Sequence, residues 1–277
     1  MLMGLLAIAG REIREGSRNH WIVASTLLLA TLSLTIAILG STPTGTVKAN
    51  ALDIVVVSLS SLTTLLVPLI SLLLAHDAIV GEQERGTLLL LLSYPVARSQ
   101  VLIGKFIGHL SLLCFATLIG YSAAAIAVTA RGDLTPQESW HSFSVMVGSS
   151  ILLGAVFISI GYAISVHVAS RGAAVIAAVG VWLLFVLLYD MALLGILVLD
   201  QGRHIGPTGF NVLLLLNPND AYRVLNLTAS ADVRLLSGMA GMSAGAQLHP
   251  TFLIADLSVW VVIPLLAARV KFERKEL

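Results

Sequence analysis

Six stretches of the chain are apolar over about twenty residues each, and this pattern constrains the fold more than any single motif. They run roughly Trp21–Leu39, Ile54–Ala75, Phe106–Ala130, Phe143–Val166, Ala173–Leu199 and Thr251–Ala267. A hydrocarbon core takes about 20 helical residues to cross, and backbone inside lipid must satisfy its own hydrogen bonds. Each stretch therefore reads as a membrane-spanning helix. Composition agrees, because only 11% of the 277 residues are charged, less than half the roughly 25% of a soluble domain. The expected class is an all-α polytopic membrane protein with one transmembrane domain over residues 1–277. The fifth span is the least regular: it holds Asp190, and either runs on or ends near Tyr189 before a separate short helix. Pro68 and Pro264 are expected to kink their spans.

Lysine and arginine set the orientation. Arg11, Arg14, Arg18, Arg85, Arg98, Lys105, Arg171, Arg269, Lys271, Arg274 and Lys275 fall on one side, against Lys48, Arg131, Arg203, Arg223 and Arg234 on the other. Both termini are thus expected in the cytoplasm. Residues 1–20 read as an amphipathic interface helix, with Leu2, Leu6, Ala9 and Ile13 on one face and Arg11, Arg14, Glu15 and Arg18 largely elsewhere. No basic region precedes MLMGLLAIAG and no small-residue cleavage site follows it, so a cleaved signal peptide is not expected. The net charge of +1, with no polybasic run outside the last nine residues, gives no sign of nucleic-acid binding.

Two connections are long. The outer one, about residues 200–250, contains FNVLLLLNPNDAYRVLNL, too short to span but apolar enough to dip into the membrane or pack on the bundle. The cytoplasmic one, about residues 76–105, contains EQERGTLLLLLSYPVAR. Its grammar is helical. Gly86 suits the position just past a helix end, and Thr87 the cap of a short second helix over Leu88–Leu92. Pro95 suits the first position of a third, which runs through Arg98 and Lys105 into the next span. Five leucines on fewer than two turns cannot all face the parent protein. The segment is either an interfacial hairpin that anchors the loop or a helix offered to a partner's groove.

Gly81-Glu82-Gln83-Glu84-Arg85-Gly86-Thr87-Leu88, followed by Leu91-Leu92-Ser93-Tyr94-Pro95-Val96-Ala97-Arg98 and Gly104-Lys105, resembles the signature of ABC-2 type transporter permeases. The layout of nearly the whole chain is similar as well. The resemblance implies that this stretch forms the coupling helix that docks on an ATPase subunit, with Glu82, Glu84, Arg85, Gly86, Thr87, Leu88, Leu91, Pro95 and Arg98 as its residues. Many members carry Glu two residues after the Thr, where this chain has Leu89, so Glu82 and Glu84 are left as the acidic contacts. VPLISLLLAHDAIVGEQERGTLLLLLSYPVARSQVLIGKFIGHL and LNPNDAYRVLNL carry a narrower resemblance, to permeases that assist copper-site maturation of nitrous oxide reductase. It implies a homodimer in the lipid of a bacterial inner membrane. A cytoplasmic ABC ATPase would bind the ATP and Mg, a periplasmic partner would complete the assembly, and a sulfur species would be the cargo. An ABC-2 exporter of lipid, drug or glycan is the alternative within the family, and an ion-coupled secondary transporter the alternative outside it.

Sites of other kinds are thinly supported. No G-x-x-x-x-G-K-[ST], H-E-x-x-H or Cys-x-x-Cys occurs, so no catalytic, nucleotide, metal or cofactor site is expected on this chain. The single Cys114 reads as a small buried hydrophobe. Ser149, Ser150 and His167 raise an intramembrane serine protease, against the plainer role of packing helices. Asp190 is the candidate for a transport path, its alternatives being a hydrogen bond to a neighbouring helix or a helix end in water. Asp256 is expected at the outer interface, and His109 and His167 at the cytoplasmic edge. Met239, Met242 and His249 could form a soft metal site or simply pack a loop.

Overall fold

The computed structural model describes residues 2–17, 20–39, 50–93, 96–131, 136–200, 203–228 and 248–275. Every element among them is helical. They are α1 (Leu2–Ser17), α2 (His20–Leu39), α3 (Ala51–Ala75), α4 (Val80–Glu84), α5 (Thr87–Leu92), α6 (Arg98–Thr129), α7 (Gln137–His167) and α8 (Arg171–Leu183). A π-helical turn, Leu184–Leu188, leads into α9 (Tyr189–Asp200), followed by α10 (Pro207–Leu215), α11 (Pro218–Leu227) and α12 (Pro250–Glu273). Five helical stretches are long and apolar enough to cross a membrane, namely Ala51–Glu84, α6, α7, Arg171–Asp200 and α12, and Val23–Leu39 within α2 forms a shorter apolar helix.

The long helices alternate in direction, and polar ties at their ends fix which neighbours meet. At one end, called here the Gly86 end, Arg171 of α8 pairs with Asp77 after α3 at 2.6 Å. Arg98 at the start of α6 donates to the carbonyls of Phe272 (3.0 Å), Glu273 and Lys275 at the close of α12. At the opposite end, the Asp53 end, Ser139 of α7 donates to Asp53 of α3 at 3.0 Å, and Arg131 reaches the last turn of α2 at Ile38. Between them, a core of Leu29, Leu52, Val55, Leu59, Leu102, Leu113, Tyr121, Ile158 and Tyr162 holds α2, α3, α6 and α7 together.

Small residues let the helices close up. A methyl group on Gly161 of α7 would stand 2.7 Å from Ala75, and one on Gly108 of α6 only 2.5 Å from the Cβ of Glu12. Gly104 and Gly108 lie one turn apart and form the seat for α1. This seat turns α1 from the expected arrangement: Ile8, Ala9 and Glu12 are buried, while Leu6 and Ile13 stay exposed.

Proline and the π turn are accommodated by specific donors. Pro264 cannot give the Trp260 carbonyl its helical hydrogen bond, and the Ser159 hydroxyl of α7 lies 3.4 Å from that oxygen. The fifth long helix neither ends at Tyr189 nor breaks there. It continues through the π turn, and the Asn217 side chain donates to the carbonyl of Phe185 inside that turn at 2.9 Å. Irregular backbone in an apolar bundle persists where such partners exist.

Candidate functional site

The Glu82–Arg98 segment is two short helices joined at a left-handed residue. The α4 helix ends at Glu84, Gly86 adopts φ 70°, and α5 begins at Thr87. A residue with a Cβ would be strained at that φ, so the turn depends on glycine. Thr87 is the first residue of α5 instead of its cap, and its hydroxyl donates back to the Glu82 carbonyl at 3.3 Å. Ser165 of α7 accepts from the backbone N–H groups of Ile79 and Val80, so the entry to α4 is pinned to the bundle.

Several of the expected coupling residues face inward. Leu88 is buried and Leu91 packs on the core, whereas Leu89 and Leu90 are 60% and 69% exposed. One helical turn cannot show all five leucines to one side, and it is the Leu89–Leu90 edge that is open to a partner. Glu82 is buried. Glu84 is exposed and accepts from the Arg171 backbone N–H at 2.9 Å, capping α8, and Arg85 is exposed. Arg98 ties down the end of α12, and α6 starts at Arg98, three residues later than expected, with Gln100 accepting from the Ala97 N–H. Pro95 lies outside the described residues.

Glu82 belongs to a cluster of buried charges that the sequence reading did not assemble. Lys105 of α6 bridges Glu12 of α1 and Glu82 of α4, the latter at 2.8 Å. His109, one turn along α6, places Nε2 3.3 Å from Glu12 and Nδ1 2.8 Å from the Tyr162 hydroxyl of α7. One proton arrangement serves all three groups, with Tyr162 donating to Nδ1 and Nε2–H to Glu12. Burial alone would raise the Glu12 carboxyl, but the His109 hydrogen bond and the Lys105 charge hold it down at about 2. Four elements, α1, α4, α6 and α7, are thereby fastened at one point. Lys105 and His109 sit at i and i+4, which was visible in sequence; the partner carboxylates were not.

At the Asp53 end, α10 and α11 form a hairpin laid against the bundle, broken at Asn217-Pro218. Asn217 caps α11 by accepting from the Asn219 N–H at 3.0 Å, while its amide also reaches Asp220 at 3.1 Å. The closing carbonyls of α10 are met by Tyr189 (to Leu213, 2.5 Å) and Trp260 (to Leu215, 3.2 Å). Tyr222 and Asn226 of α11 bond Ser150 and Ser149 of α7. Arg223 stands between Asp190 (2.8 Å) and Asp220 (3.2 Å), so Asp190 is tied to a neighbouring helix. These three groups close one end of a cavity of about 230 Å³ walled by Leu193, Phe210 and Leu214. Burial, then the nearby Asp190 charge, pushes the Asp220 carboxyl up to about 7 despite Arg223.

The remaining candidates resolve plainly. Ser149 and Ser150 bond the hairpin, and His167 Nδ1 bonds its own helix at Ala163, so no serine–histidine pair forms. His109 is buried beside Glu12 in the Lys105 cluster. Asp256, half-buried in the second turn of α12, leaves one oxygen without a partner. Cys114 is half-buried. His249 caps α12 by accepting from Thr251, and Met239 and Met242 lie outside the described residues.

A bundle of long apolar helices, with a pinned helix–glycine–helix segment at one end and a docked helical hairpin at the other, is the architecture of a polytopic membrane protein. The chain belongs to the ABC-2 transporter family: the family model described as ABC-2 family transporter protein matches residues 6–277. It is 44% identical over 272 residues to the probable ABC transporter permease protein NosY of Pseudomonas aeruginosa, covering 97% of both chains. It is 42% identical over 270 residues, again 97% of each, to the probable ABC transporter permease protein NosY of Stutzerimonas stutzeri. The protein is thus a multi-pass, permease-type subunit of an ABC transporter, in which ATP hydrolysis falls to a separate subunit.

Proposed function

We propose that this permease has six spans with both termini in the cytoplasm of a bacterium, and works as a homodimer in the inner membrane. A NosF-like ATPase, binding ATP and Mg, seats each α4–α5 segment, and a NosD-like partner meets the periplasmic side. The cargo is a sulfur species exported for copper-site assembly of nitrous oxide reductase. The observation that carries the reading is the exposed Leu89–Leu90 edge on a helix whose base is pinned by Gly86, Ser165 and Lys105. An apolar edge held on a rigid stem gives a partner a fixed anchor at low ordering cost. Nucleotide-driven closure of the ATPases then moves α1, α6 and α7 together, because the Lys105 cluster joins them to the docking helix.

The test is a pull-down from solubilised membranes with ATPase activity measured on the eluate. Leu89→Glu with Leu90→Glu is expected to abolish ATPase recovery while leaving membrane insertion and thermal stability unchanged. Undiminished recovery would remove the coupling assignment. The cargo is tested separately, in cells that produce nitrous oxide reductase. The same variant should leave the reductase short of copper, and full copper occupancy would overturn the export role even if docking is lost.

A further inference from the structure

A second open feature lies at the Gly86 end, away from the coupling segment. The closing turns of α7 and α12 leave a groove of about 520 Å³ between them, lined by His167, Leu266, Ala267, Val270, Lys271 and Arg274. Among the described residues its polar lining is wholly basic or neutral, with no carboxylate on the wall. Lys271 and Arg274 make no ion pair among the described residues, in contrast to Arg269 on the same helix, which is paired with Glu273 at 2.8 Å. Just beyond them Lys275 donates to the Val166 carbonyl at the end of α7. Its ammonium is held below the usual lysine range by burial first and by the Lys271 charge second.

The groove is also continuous with an apolar track. Val259, Val262, Ile263, Leu266 and Val270 recur at helical spacing along α12, and each is about half exposed or more. A ligand that suits both parts has an anionic head and hydrocarbon tails that lie along a membrane helix. Basic pockets between helices at a membrane boundary hold anionic lipid heads in this way. An acidic protein surface would match the charges but leave Leu266 and Val270 facing water. A second copy meeting this face across a two-fold axis would set Lys271 and Arg274 near their own equivalents.

From this charge and apolar complementarity we infer that the α7–α12 groove is a binding site for an anionic glycerophospholipid. Lys271 and Arg274 engage its phosphate, and Leu266 and Val270 its first acyl carbons. The site is independent of which ATPase or cargo the permease serves. It would fix the start of the α12 exit from the membrane to lipid of one charge class.

Native mass spectrometry of the purified full chain, titrated with phosphatidylglycerol or phosphatidylcholine, tests this. Lys271→Gln with Arg274→Gln should weaken phosphatidylglycerol binding about thirty-fold, the loss expected for two basic groups at a lipid surface. Phosphatidylcholine binding should hardly change, and Arg269→Gln should behave as the unaltered protein. Val270→Trp, which fills the groove and keeps both charges, should also weaken phosphatidylglycerol binding. Equal retention by the double variant would overturn the site, as would an equal loss of both lipids. Displacement of the lipid by millimolar inorganic phosphate would show a free-anion site and overturn the lipid assignment.

Discussion

The two ends of the bundle bury charge in opposite ways. At the Gly86 end, Lys105 is enclosed between Glu12 and Glu82, and all three side chains are within a tenth of full burial. At the Asp53 end, Arg223 stands between Asp190 and Asp220 with 37% of its side chain exposed and a cavity beside it. The first arrangement joins four elements that must move as one. The second joins the hairpin to the fifth long helix through an arginine that is part exposed, over an Asp220 that is buried. A fully buried pair is costlier to break than a part-exposed one, so charge fastens the molecule more firmly where the ATPase is proposed to push than at the hairpin, which is held mainly by Asn217, Tyr222 and Asn226.

The comparison is broken most directly at Lys105. Lys105→Met leaves two buried carboxylates without their cation and should destabilise the solubilised protein by about 3–5 kcal/mol, read as a lowered Tm and loss of protection in α1. Arg223→Gln should cost less, about 1–2 kcal/mol, because Arg223 is part exposed and only one of its two carboxylates, Asp220, is buried. Hydrogen exchange should then rise in α11 alone, with the bundle intact. Equal losses from the two variants would erase the distinction between the ends.

Acidity sharpens the contrast, because the two ends respond in opposite directions. Glu12 is held near 2, below its ordinary 4.5, so its contribution is present above about 4.5 and lost as pH falls toward 2. Asp220 is raised from 3.8 to about 7, so the hairpin is held best at low pH and loosens as pH rises through 7. Exchange in α11, corrected for intrinsic rate, should therefore be faster at pH 8 than at pH 6, and α1 should show no such rise. Asp220→Asn removes the titrating group and should flatten the α11 profile by about 1 kcal/mol between pH 6 and pH 8, leaving the remainder of the protein as it was.

Local grammar was legible in the sequence; long-range partnership was not. Gly86 announced its turn because a positive φ is a property of one residue and its neighbours. The apolar spans were legible for the same reason. Glu82 was read as an acidic contact for the ATPase because nothing near it in sequence reveals Lys105, 23 positions away, or Glu12, a further 93 from Lys105. Leu88 and Leu91 were chosen over Leu89 and Leu90 because which side of a short helix turns inward is set by the surface beneath it. Asp190 was singled out as a charge inside a span, and its partner sits in a connection whose path only the fold determines.

The π turn at Leu184–Leu188 gives the Arg171–Asp200 helix one residue more than an α-helix of the same rise would hold. An α-helix advances about 100° per residue. Were that surplus residue passed along the helix or squeezed out at its end, everything beyond it would swivel by about that angle. Asp190 would swing off Arg223, and Asn217 would lose the Phe185 carbonyl it now holds. The span is in this sense wound one notch out of register, and the hairpin is the catch that keeps it there.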